Sequence, residues 1–378
     1  MAKAWVLHEI GDIRLEDVDI PEPAENEVLV NVKAVGICGS DVPRVYETGA
    51  HRMPLIPGHE FSGVVVKTGA NVSDDLVGMR VAVSPKIPCR KCEMCAKGET
   101  DLCLNYDYTG SRRDGAFAEY VCVPVDNLIE LVDNISFEEG AMIEPLAVAA
   151  NAVRTGCAGI DPSDNGVKIA VCGMGTIGLM VVMLLMDMGF SDIYVIGNKD
   201  SHRDKAIDIG ILPEHYCDMR TSDPVLWIKE KTKGVSVYFE CVGSNESIRY
   251  GLEAGAPKSR QILVGNPRSD MSFSRNTYWE ILRKQMSLVG IWNSSYRKES
   301  VDFGLNRAGS CVNTDNSNVG LAQIDDWHYV LSRLEAGGIN PSKLITHRFS
   351  LNDLEKGLLI MRDKTEDYCK IMICSERL

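Results

Sequence analysis

Apolar positions occur in short, punctuated stretches over the first third of the chain and in longer runs through its middle. Val28–Val35 (VLVNVKAV) is rich in β-branched residues, and Phe61–Val66, Arg80–Val83 and Tyr120–Val123 repeat that character between Gly, Pro and Asp. This predicts short strands in a β-rich, loop-rich domain. After Asn165 the pattern becomes strand, Gly-rich turn, helix and second strand: VKIAVCG, MGTIG, LMVVMLLMDMG and DIYVIG. That succession is a βαβ unit opening a parallel sheet. VSVYFECVG and RQILVG continue the alternation, and SLVGIW, from Ser287, supplies a last strand. Trp327–Gly337 and Leu351–Met361 have helical periodicity, the second capped by Ser350 or Asn352.

The 378 residues, 45% hydrophobic, suffice for two cored domains. Acidic residues outnumber basic ones 53 to 40, a net charge of −13, which argues against nucleic acid or an anionic membrane as partner. No stretch approaches the roughly 18 apolar residues of a membrane span, and the opening MAKAWVLHEIGD lacks the apolar core of a signal peptide. The expected location is the cytoplasm. In that reducing compartment, 13 cysteines read as thiols or metal ligands rather than disulfides.

Cys89, Cys92, Cys95 and Cys103 form C-x2-C-x2-C-x7-C, four thiolates close enough in sequence to close one tetrahedral site. Four protein ligands leave no open position, so a zinc held there is structural; an iron–sulfur cluster fits the same spacing. A second set is dispersed: Cys38 in GICGSD, His59 and Glu60 in PGHEFSG, and Glu144 in IEPLAV. Singly, these read as a small buried hydrophobe, a loop histidine and a carboxylate at a helix start. Together, one thiolate, one imidazole and one carboxylate leave a coordination position free for substrate oxygen. Ser40 is placed to pass an alcohol proton outward and Asp41 to orient His59, or the two simply form a turn. Most other cysteines, such as Cys172 and Cys241, lie in apolar strands and read as core.

Gly173, Gly175 and Gly178 spell G-x-G-x-x-G between strand IAVC and an apolar helix, where a pyrophosphate rests on the helix N-terminus beside Thr176 and Ile177. The next strand ends VIGNKDSHR. Gly197 stands where an NAD site carries Asp or Glu. Gly197 is expected to make room for a 2′-phosphate, and Asn198, Lys199 and Arg203 to donate to it, which favours NADP over NAD. The alternative is that Asp200 supplies the acid slightly late. Val242, Val264 and Gly265, at later strand ends, complete the cofactor candidates.

In this order, GICGSD, GHEFSG, the four-cysteine loop, GSRRDGAFAEY, IEPLAV and GMGTIG resemble the zinc-containing medium-chain dehydrogenases, which include alcohol, sorbitol and threonine dehydrogenases. GICGSDVPRVYETGAH, YDYTGSRRDGAFAEY and ILRKQMSLVGIW are most similar to the branch acting on sugar-alcohol phosphates. The resemblance implies an α/β protein in which a Rossmann doubly wound parallel sheet (151–295) is inserted into a GroES-like catalytic domain (1–150, completed by 296–378). It implies two zinc ions per chain: a catalytic one on Cys38, His59 and Glu144, with Glu60 binding directly or through water, and a structural one on the four cysteines. It also implies homodimers or homotetramers built through the Rossmann domains. For substrate phosphate the candidates are Arg44, His51, Arg112 and Arg113. Gly197 and the stretch Phe303–Gln323, which looks inserted, depart from the family pattern. The activity expected is hydride transfer between a secondary alcohol of a polyol or polyol phosphate and NAD(P). The rivals are NADPH-linked reduction of simple ketones or aldehydes, oxidation of unphosphorylated polyols, and a redox-sensing protein without hydride chemistry.

Overall fold

The computed structural model describes residues 1–267, 269–298 and 324–375; the stretch Phe303–Gln323 lies outside them. The chain forms two compact units, Met1–Pro145 with Ser295–Leu378, and Leu146–Ser294.

The first unit is built on a seven-stranded sheet whose central strand, Glu27–Ile37, pairs antiparallel with Glu60–Thr68, Tyr120–Pro124 and Lys370–Cys374. The sheet continues through Arg80–Val83 and Leu128–Glu130 on one side and Ile345–Phe349 on the other. Val28, Val30, Phe61, Val65, Val81, Phe117, Leu358 and Ile371 share one core. Each such buried aliphatic or aromatic side chain contributes roughly 1.5–3 kcal/mol.

Several elements are absent from the sequence reading. Ala2–Glu9 and Asp12–Val18 form a hairpin, and Lys86–Ile87 pairs with Asp107–Tyr108. The two C-terminal strands, Ile345–Phe349 and Lys370–Cys374, pair in parallel. The last helix starts later than the cap reading placed it: a 3-10 turn spans Leu351–Asp353, the helix is Leu354–Asp363, and its N-cap is Asp353. The Ser350 hydroxyl instead donates to the Asp353 carboxylate at 2.9 Å.

The second unit is a six-stranded parallel sheet in the order Tyr216–Asp218, Ile193–Gly197, Ile169–Cys172, Val235–Glu240, Gly255–Leu263, Ser287–Gly290. The order reverses between Ile169–Cys172 and Val235–Glu240, the place where doubly wound sheets bind ligands beyond their strand ends. Helix Thr176–Asp187 starts there, and Leu179 to Leu185 are all buried, as befits a helix apolar on every face. Among the described residues, no helix is long and apolar enough to cross a membrane.

Candidate functional site

Strand register assembles the first site. Gly36 pairs opposite Glu60, so the chain leaving one strand at Cys38 meets the chain entering the next through His59. Ligand atoms of Cys38, His59 and Glu60 lie within 4.8 Å of one another, with His59 and Glu60 buried. The last strand adds a residue that sequence reasoning missed. Lys370 Nζ donates to Glu60 Oε2 and, at 3.1 Å, to the Ile37 carbonyl. A side chain on Gly36 would fall 2.4 Å from Glu60 Oε2 and 2.6 Å from Lys370 Cε, so a larger residue there would have to push this pair aside. Burial works against the Lys370 charge, but Glu60 and Cys38 outweigh it and raise the ammonium pKa.

Asp41 is fully buried behind His59. Its carboxylate accepts from Cys38 N at 2.9 Å and Arg44 at 2.5 Å, and it stands 3.5 Å from His59 Nδ1, which leaves Nε2 for a metal. Burial alone would lower the His59 pKa, yet the Asp41 and Cys38 charges hold it well above its ordinary value. A thiolate, an imidazole and a carboxylate in a buried, net-acidic setting fit zinc and leave a position open. Ser40 is half-buried on the turn after Cys38.

Glu144 lies buried in the first turn of helix Ile143–Gly156, outside the 4.8 Å convergence of Cys38, His59 and Glu60. Its Oε1 accepts from the Tyr108 hydroxyl at 3.2 Å. Burial, reinforced by Glu60, pushes its carboxyl up to about 7 against the opposing pull of His59 and Lys370.

The four-cysteine loop closes as its spacing suggests. Ligand atoms of Cys89, Cys92, Cys95 and Cys103 lie within 4.8 Å of one another, with Cys92 and Cys95 sulfurs 3.5 Å apart. Backbone N–H groups of Cys95 and Leu104 donate to the Cys92 sulfur and lower its pKa to about 6. Donors that stabilise thiolate are what a tetrathiolate metal site requires.

In the second unit, Gly173 takes φ +95° at the end of its strand, and Gly175 caps the following helix with open space where a side chain would be. A Cβ on Gly178 would lie 1.8 Å from the Gly173 carbonyl. Backbone cannot step aside as a side-chain tip can, so Gly178→Ala should weaken dinucleotide binding at least about tenfold. Titration of nicotinamide fluorescence checks this, and unchanged affinity would refute the close-approach role. Gly173, Val242, Gly243 and Gly265 touch one another beyond the neighbouring strand ends. Glu240, buried and missed by the sequence reading, fixes this rim by accepting from Val242 N, Gly243 N and Ser247 Oγ at 2.7–2.8 Å. Val264 N donates to the Glu240 carbonyl at 2.9 Å. Thr176 and Ile177 form the first turn of the glycine-motif helix.

A Cβ on Gly197 would lie 2.3 Å from the Tyr216 hydroxyl, so the glycine makes room for the Tyr216 side chain. That hydroxyl donates to the Lys199 carbonyl at 3.3 Å. Asp200 is bound to Arg220 at 2.6 Å and lies 3.5 Å from Arg203, while Asn198 is exposed. Arg220 follows the strand beside Gly197 and escaped the sequence reading because only sheet order brings it there.

The proposed substrate residues separate. Arg44 stands beside the first site through Asp41. His51 is exposed. Arg112 stacks on Tyr106, whose ring meets Tyr108 edge-on at 6.2 Å. Arg113 pairs with Glu27 at 2.6 Å, at the opposite end of the central strand from Gly36. Its backbone N–H, however, donates to the Tyr108 carbonyl at 3.2 Å, so its main chain lies beside the Tyr108–Glu144 pair while its guanidinium is engaged by Glu27.

Comparison with known proteins identifies two family domains. Residues 24–133 match the family "Alcohol dehydrogenase GroES-like domain" and residues 176–304 the family "Zinc-binding dehydrogenase". Galactitol 1-phosphate 5-dehydrogenase of Escherichia coli K12 is 31% identical over 75% of this chain and 80% of its own length. Human sorbitol dehydrogenase is 30% identical over 92% and 88%. A zinc-binding dehydrogenase of Sinorhizobium meliloti 1021, solved bound to NADP, superposes with a TM-score of 0.82 at 26% identity, covering 99% of each chain.

Proposed function

Because this chain belongs to the zinc-containing medium-chain alcohol and polyol dehydrogenases, we propose that it moves a hydride between a secondary alcohol carbon of a polyol phosphate and a nicotinamide dinucleotide, NADP preferred. The observation that carries this reading is the buried convergence of Cys38, His59 and Glu60.

A zinc ion held by Cys38, His59 and Glu60 or Glu144 would supply Lewis-acid stabilisation of negative charge on the substrate oxygen. The chain's residues do the rest. Asp41 fixes the His59 ring, and Ser40 takes the alcohol proton outward, so the alcohol loses a hydride to the nicotinamide and a proton toward solvent. A second zinc on Cys89, Cys92, Cys95 and Cys103 holds the loop.

The preference for NADP rests on three features. No acid ends the strand at Gly197, Asp200 is paired with Arg220, which Asp218 shares, and with Arg203, and Lys199, Asn198 and the Tyr216 hydroxyl flank the same strand end. The NADP carried by the Sinorhizobium relative supports it. For phosphate, Arg44 is the leading candidate beside the cluster, with His51 and Arg112 farther out. The relative named for galactitol 1-phosphate supports that substrate class, and sorbitol dehydrogenase supports the unphosphorylated alternative. A homodimer or homotetramer through the second unit would cover the exposed Tyr278, Trp279, Leu282 and Trp292 around the edge strand Ser287–Gly290.

Initial rates of nicotinamide reduction with galactitol 1-phosphate, galactitol and sorbitol, each with NADP and NAD, test the reading in one absorbance assay. Turnover confined to the phosphorylated polyol, and faster with NADP than with NAD, is expected. Arg220→Ala should lower kcat/KM for NADP about tenfold and leave NAD little changed. Turnover with NAD alone would overturn the cofactor assignment, and activity only on unphosphorylated polyols would overturn the phosphate assignment.

A further inference from the structure

Lys86 is buried, only 9% exposed, yet among the described residues it pairs with no carboxylate. Its Nζ donates to the Asp101 carbonyl and stands 4.5 Å from the centre of the Tyr106 ring. The backbone beneath it is fixed, because Lys86 pairs with Tyr108 and buried Asn127 donates to the Ser84 and Lys86 carbonyls at 2.7 and 2.8 Å. A second cation, Arg112, stacks on the same Tyr106 ring at 4.3 Å, with its buried Nε unpartnered. Two cations on one ring repel each other, and an unpaired ammonium is costly to bury. An anion close by would offset both costs.

The four-cysteine loop supplies it. Cys89 follows Lys86 by three residues, and the Asp101 carbonyl that holds the ammonium lies in the 3-10 turn Thr100–Leu102, just before buried Cys103. The side chain is thus tethered to both arms of the loop. Burial lowers the Lys86 pKa, the charges of Asp101, Cys103 and Cys95 raise it, and Arg112 lowers it. Four thiolates around one divalent ion leave two uncompensated negative charges. The other cations of the loop, Arg90, Lys91 and Lys97, are exposed, and Arg90 is engaged by Asp126. Water screens such charges, whereas it screens Lys86 far less.

We propose that Lys86 is the buried counter-ion of the metal-loaded four-cysteine loop, its ammonium held against the loop by the Tyr106 ring and the Asp101 carbonyl so that the thiolates retain their metal. This rests on the zinc reading of that loop given above.

Lys86→Met keeps an apolar stem over Tyr106 and removes the charge. Zinc release to a chromophoric chelator is followed in the parent protein, and the phase that Cys103→Ser abolishes reports this site. Lys86→Met should speed that phase about tenfold, and Lys86→Arg should return it toward the parent rate. A comparison across backgrounds separates charge from packing. Lys86→Met should lower Tm by about 3 °C or more in the zinc-loaded parent and by less than about 1 °C in Cys103→Ser, where the metal is lost. Equal losses of Tm in the two backgrounds, or an unchanged rate of zinc release, would overturn the proposal. A higher KM for galactitol 1-phosphate in Lys86→Met without faster zinc release would overturn it too, by assigning the ammonium to the substrate phosphate. If Cys103→Ser abolishes no phase of zinc release, the zinc reading of the loop fails and the proposal with it, whereas a Cys103-dependent phase insensitive to Lys86→Met removes only the role of Lys86.

Discussion

Cys38→Ser should empty the Cys38–His59–Glu60 site and lower kcat/KM by at least roughly a thousandfold, about 4 kcal/mol of lost transition-state stabilisation. A secondary alcohol gives up hydride readily only when its oxygen carries negative charge, and no other group at the site can replace a metal in stabilising it. Lys370, the nearest buried cation, is committed to Glu60 and the Ile37 carbonyl, and Arg44 is committed to Asp41. Serine leaves the backbone contact between Cys38 N and Asp41 intact but offers a hydroxyl far less acidic than a thiol. Metal analysis should show zinc falling from about two per chain to about one, with the thermal midpoint little altered. Activity retained within tenfold of the parent would show that the cluster is not the reacting centre.

Cys103→Ser should act on stability first. The ladder at the base of the loop 88–106 has two residue pairs, Lys86–Tyr108 and Ile87–Asp107, and a ladder that short is marginal in water. Cys103 is buried and accepts from Cys89 N at 3.2 Å, so its sulfur ties the two ends of the loop together even before a metal is considered. Structural zinc contributes its binding energy directly to folding. Loss of one thiolate should therefore lower Tm by about 5 °C or more and release one zinc per chain, measurable by calorimetry and metal analysis. Activity should fall as a consequence, because Tyr108 stands at the base of this loop. A Tm unchanged within a degree would mean that the loop is held without metal. A visible chromophore with bound iron in the parent protein would replace zinc by an iron–sulfur cluster.

The parts legible in the sequence are those whose information is local. A run such as IAVC followed by G-x-G-x-x-G and an apolar helix dictates a strand, a tight turn and a buried helix within a few residues, and the Gly178–Gly173 contact shows why that spacing is strict. The four cysteines are similar, since residues three, three and eight apart can reach one ion whatever the rest of the chain does. The hairpin Ala2–Val18 was less legible because its strands mix charged and apolar positions with no strong turn dipeptide. The strands Ile345–Phe349 and Lys370–Cys374 carry little pattern beyond a short apolar run.

What the sequence by itself determined is therefore the nucleotide-binding unit, the thiolate loop and the residue types able to hold a catalytic metal. Which of those residues meet was decided by tertiary structure. Register between Glu27–Ile37 and Glu60–Thr68 brings Cys38 beside His59, and pairing of the same strand with Lys370–Cys374 delivers Lys370 to Glu60 across most of the chain's length. Sheet order likewise sets Tyr216 against Gly197. The physical reason is common to all three: a hydrogen-bonded ladder aligns residues by register, and register between distant segments depends on side-chain burial across the whole sheet, which no short window of sequence contains.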